Sequence, residues 1–126
     1  MEMKKLSPAE ELTHFLNFID ACKSEYQYAC DIVSEEDRRL QDLLHEIEFA
    51  KDKSERNQVA TRLHQSRKLR RENKDITKQN ENIVKFFEDQ KNKETLNRMR
   101  QLLGMQRKEE EYLQSNRTYK PRAGKV

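Results

Sequence analysis

Between Leu12 and Ala50 apolar residues recur in a sustained heptad, a spacing that a long helix packed along a partner helix can use. One seam position takes Leu12, Ile19, Tyr26, Val33, Leu40 and Ile47. The other takes Phe15, Cys22, Ala29, Glu36, Leu43 and Ala50, so eleven of the twelve are apolar. Ser7-Pro8-Ala9-Glu10 supplies a start signal: a capping hydroxyl, a proline at the first helical position and a carboxylate three residues after the cap. A helix over residues 8–50 would be roughly 64 Å long. That is a rod, and its stripe needs a second helix to cover it.

Composition agrees. The 126 residues are 39% charged and 33% hydrophobic, with two Gly and two Pro. So little turn chemistry argues against a β-rich fold, and the regular apolar spacing separates the chain from a disordered polymer of similar charge. Residues 51–57 hold no apolar side chain but do hold Ser54 and Asn57, which places a helix–helix turn there; with no Gly or Pro to enforce it, the alternative is one continuous helix whose seams a dimer would bury. A second helix is expected over 58–91. Val59, Leu69, Ile76, Ile83 and Phe87 fit its seam, and Ser66, Asn73 and Asn80 interrupt it. A turn near Ser54 would set Glu36 opposite Arg71 to Asn73.

A third helix is expected over 92–115, with Leu96, Met99, Leu102, Leu103, Met105 and Leu113 apolar. The apolar stripe widens at Leu12–Ile19 and again at Ile83–Phe87, two patches that a hairpin brings to one end. A stripe too wide for one partner calls for another. The expected fold is therefore all-α: a long antiparallel coiled-coil helical hairpin with a shorter third helix folding back to pack at its open end. Residues 1–118 form one domain, and 119–126 form a disordered basic tail.

No apolar stretch resembles a signal peptide or membrane span, so a cytoplasmic protein without membrane contact is expected. Cys22 and Cys30 lie eight residues apart, about 12 Å along a helix, too far to bridge; both are expected reduced and buried. His14, His45 and His64 are isolated, and neither a metal-binding pattern nor a glycine-rich phosphate loop is present. No nucleophile stands beside a base, and the runs Glu35-Glu36-Asp37 and Glu109-Glu110-Glu111 read as solvated charge. Neither an enzyme nor a cofactor protein is expected.

Charge divides along the chain. Residues 7–55 carry 5 Lys/Arg against 13 Asp/Glu, and residues 56–126 carry 19 against 9. In a hairpin the halves attract. The densest basic run is Arg62, Arg67, Lys68, Arg70, Arg71 and Lys74, within which Arg67, Arg70, Arg71 and Lys74 share a helical face. They are the candidate contacts for a partner or for phosphates, either of free nucleic acid or of a nucleoprotein complex. The competing expectation is a solvated face balanced by Glu35, Glu36, Asp37 and Asp42. No aromatic side chain interleaves the run, so it is no stacking platform for single strands.

Three segments, Arg67-Lys68-Leu69-Arg70-Arg71, Ile83-Val84-Lys85-Phe86-Phe87 and Asn116-Arg117-Thr118-Tyr119-Lys120-Pro121-Arg122, carry a resemblance. The chain after Arg62 resembles small, uncharacterised helical proteins encoded by phages and mobile elements of Gram-positive bacteria. The resemblance implies a context and no residue roles: such accessory proteins bind host proteins, including nucleases of antiviral systems. The leading expectation is a non-catalytic binding protein, monomer or homodimer, that modulates or inhibits a host protein or nucleoprotein by occupying it. The alternatives are a direct DNA- or RNA-binding protein and a structural coiled-coil subunit of a phage assembly.

Overall fold

The computed structural model describes residues 5–119 and 121–123. Three helices follow in order among them, α1 (Pro8–Glu48), α2 (Lys53–Glu88) and α3 (Gln90–Gln114), with no strand. Ser7 caps α1 in a complete capping box: its hydroxyl accepts from the Glu10 N–H at 3.2 Å, and the Glu10 carboxylate accepts from the Ser7 N–H at 3.1 Å.

The hairpin turn lies earlier than the polar run 51–57 implies. Phe49 ends α1, and Asp52 caps α2, accepting from the Glu55 N–H at 2.8 Å. Glu55 in turn accepts from the Lys51 N–H at 2.8 Å. Asp52 and Glu55 thus divide orphan donors at the helix start, as a capping box does. Residues 53–57 are helical because that cap leaves only Phe49–Asp52 for the turn. The earlier turn shifts the register, so Glu36 meets Ser66 and Arg67 instead of Arg71 to Asn73.

Leu16, Ile19, Cys22, Ala29, Glu36 and Leu43 are buried along α1, so the heptad faces α2 over most of its length. On α2 the centre of the seam is polar. Val59, Ser66, Asn73, Thr77, Asn80 and Val84 are buried, whereas Leu69 stays exposed. Asn73 and Asn80 satisfy their amides by donating to the carbonyls of Leu69 and Ile76, each at 2.9 Å. Small or polar residues at the contact let the helices approach while the larger apolar side chains sit on the flanks.

Asp89 alone separates α2 from α3; its extended backbone (φ −59°, ψ 134°) breaks the helix and its carboxylate caps the next one. Leu96 and Leu103 pack with Ala9, Leu16 and Ile19, flanked by Leu12, Ile83, Phe87 and Met99. The third helix therefore docks at the open end, as expected. Its polar contacts fix its sense. Arg100 pairs with Asp20 at 3.1 Å, Arg107 donates to the Thr13 hydroxyl at 3.1 Å, and Glu110 accepts from the Ala9 N–H at 2.9 Å. Later residues of α3 meet earlier residues of α1, so α3 is antiparallel to α1, the same sense as α2, and does not fold back along α2. Of the basic tail, Tyr119 and residues 121–123 are exposed and non-helical, while Lys120 and residues 124–126 lie outside the described residues.

Candidate basic interface on the stalk

The register decides which cations of α2 remain available. Arg67 and Arg70 turn toward α1. Arg70 Nε pairs with Asp37 at 2.6 Å; Arg67 donates to the Glu36 carbonyl at 3.1 Å and stands 3.8 Å from Asp37. Both side chains are about two-thirds covered, and the Arg67 Nε is buried without a hydrogen-bond partner among the described residues. Arg71 and Lys74 are exposed and make no ion pair among the described residues. The four candidates therefore divide: two tie the hairpin together, and two face solvent.

Beneath the pair on the seam sits Glu36, only 2% exposed. Ser66 donates to it at 2.9 Å, and Arg39, one turn further along α1, donates to both of its oxygens. A buried carboxylate costs several kcal/mol unless hydrogen-bonded in this way. The acidic run Glu35-Glu36-Asp37 is thus structural in large part: Glu35 and Glu36 hold Arg39, and Asp37 holds Arg67 and Arg70.

Helical spacing carries the solvent-facing strip beyond the run that the sequence singled out. Arg71, Lys74, Lys78 and Lys85 follow at intervals of three, four and seven, which keeps them on one flank of α2. Lys74 and Lys78 border a shallow hollow with Tyr26, Cys30, Ser34 and Glu81, which places that flank beside α1. Lys78 and Lys85 bracket Glu81 at 3.4 and 2.9 Å. Their ammonium groups, Lys85 foremost, hold the Glu81 carboxyl below its ordinary range, and Glu81 in turn raises Lys85. From Arg71 to Lys85 the strip runs roughly 21 Å. The signal for its extension was present as spacing, but Lys78 and Lys85 stand apart from the dense run.

Other chemistry is sparse. Both cysteines are free; Cys22 is buried, whereas Cys30 is half-exposed, contrary to the expectation that both are covered. Burial, with Glu25 adding, pushes the Cys22 thiol up from its usual range. Among the described residues no group of three or more His, Cys, Asp or Glu could share a metal ion, and no helix is long and apolar enough to cross a membrane. No family model, curated protein or solved structure matches the chain.

Proposed function

We propose that the chain is a non-catalytic binding protein that modulates a host protein or nucleoprotein complex by occupying it, in the manner of the phage-encoded accessory proteins it resembles. The observation that carries this reading is the basic strip, with Arg71 and Lys74 left without an ion-pair partner among the described residues on a rigid two-helix rod. Cations held at fixed spacing on a straight helix suit an extended acidic surface: the phosphates of a bound guide or target, or a carboxylate-rich groove. A strip of about 21 Å matches about six phosphates along one strand of a duplex. An antiviral nuclease that holds nucleic acid in an open channel offers such a surface.

Direct binding of free DNA or RNA is the second reading, and the same strip supports it. Titration against short DNA and RNA duplexes at about 50 and 200 mM salt separates the two, since each neutralised phosphate makes affinity steeply salt-dependent. Binding at the lower salt that weakens at the higher, and is lost in Arg71→Gln/Lys74→Gln, would favour the direct reading. No binding of either duplex, together with host proteins that co-purify with the wild type and not with the double variant, is the result expected for occupation of a partner. Because neither side chain is paired, the double variant should keep its stability within about 0.5 kcal/mol. Loss of partner capture without loss of melting temperature therefore locates the contact on this strip.

A further inference from the structure

At the open end of the hairpin, α2 stops at Glu88 while α1 and α3 continue side by side. The α1 residues whose seam would otherwise face a helix are uncovered there. Phe15, a seam residue by its spacing, is 40% exposed. With Pro8 and Leu12 it lines one wall of an apolar groove of about 440 Å³, and Leu102 and Gln106 of α3 line the other. Beside the groove, Phe18 on α1 and Met105 on α3 are 50% and 69% exposed. This slot is an open apolar groove with large apolar side chains along its edge.

We infer that a second copy of this chain fills the slot, with α3 of each protomer lying in the groove of its partner about a two-fold axis. Three observations favour this occupant. The first is area: Phe15, Phe18, Leu102 and Met105 leave on the order of 400 Å² of apolar surface open on each chain. A stable interface of standard size needs about 800 Å² per partner, of which somewhat over half is apolar. The second is shape, because a two-fold interface must present groove and ridge together on one surface, and this end does so. The third is charge. Exposed Arg98 and Lys108 outnumber exposed Glu109 around Met105 on α3, whereas exposed Glu11 borders the α1 wall. Laying α3 of one copy against α1 of the other brings unlike charges together. The inference is separate from the stalk strip, which an end-to-end dimer leaves open on both rods.

Light scattering and sedimentation on the full chain, from micromolar to several hundred micromolar, test it. The wild type should approach twice the 15.2 kDa mass of one chain as concentration rises. Met105→Glu and Phe18→Glu should each remain at one chain throughout, with unchanged helix content, because neither side chain belongs to the buried cluster of this end. Leu102→Gln, a milder change in the groove itself, should weaken dimerisation at least tenfold. A wild type that stays monomeric at the highest concentration overturns the inference, leaving the slot to a foreign helix and the stalk reading untouched. A dimer that survives both Glu substitutions overturns it as well, since the contact then lies elsewhere.

Discussion

The two ends of this molecule are held together by different chemistry. At the three-helix end Ile19 and Leu96, each nearly inaccessible, form an apolar core with Leu16 and Leu103. Along the stalk, buried Ala29, Leu43 and Val59 share the seam with buried Glu36, Ser66, Asn73, Thr77 and Asn80; Ser66 bonds Glu36 across it, while Asn73 and Asn80 bond carbonyls of their own helix. Apolar burial is non-directional and supplies most of the stabilisation. The Glu36–Ser66 bond contributes less, but a shifted register leaves that buried carboxylate without its α2 donor. The bundle end therefore holds the fold, and the stalk holds the alignment that sets which cations face outward.

The largest effect should come from the bundle end. Leu96→Ala and Ile19→Ala should each cost about 2–5 kcal/mol, the range for truncating fully buried aliphatic side chains. Denaturant unfolding measures this. A loss under about 1 kcal/mol at both sites would mean that α3 is not docked on a cooperative core, and the contrast between the two ends would fail.

A smaller loss is expected at the stalk. Ser66→Ala removes the α2 donor to Glu36 and should cost about 1–3 kcal/mol, as for a hydrogen bond to a buried charged group. Arg39 cannot replace it, because its side chain is nearly half exposed and already pairs with Glu35 and Glu36. If Ser66→Ala proved as costly as Leu96→Ala, the stalk would be a second core and not an alignment device.

The smallest effect is a pH dependence at the junction of α1 and α3. Glu110 is held below the ordinary carboxyl value of 4.5 by the Ser7 hydroxyl, the Gln106 amide and the Ala9 N–H. A carboxyl depressed in the folded state contributes stability above its unfolded pKa, and that contribution disappears as pH falls through the folded value. The melting temperatures of wild type and Glu110→Gln should thus differ most near neutrality and converge as pH falls through that depressed folded value. A difference that persists unchanged into acid would show that Glu110 acts there by shape and not by charge.

Much of the fold was legible in the residues. The heptad of α1, the capping box at Ser7, and the widening of the apolar stripe at Leu12–Ile19 and Ile83–Phe87 each record a local requirement that the chain meets wherever it folds. The hairpin turn was legible too, in Asp52 and Glu55 three residues apart, but the absence of apolar residues over 51–57 is the louder and misleading signal. Polar residues sit as well in a solvated first turn as in a loop, and the cap distinguishes them. The candidate site was half legible. Arg71 and Lys74 face solvent as the basic run suggested, but Arg67 and Arg70 do not.

Helix identity, helix starts and the wide apolar end follow from the sequence by itself, because propensity, capping and periodicity act over a few neighbouring residues. Tertiary structure alone decided the pairing across the hairpin. Each carboxylate of α1 could attract several cations of α2, and Coulomb attraction is too long-ranged and too weak at the surface to choose among them. The close packing of Glu36 against Ser66 makes the choice, and from it follow the engagement of Arg67 and Arg70, the exposure of Arg71 and Lys74, and the open groove where α2 ends before α1 does.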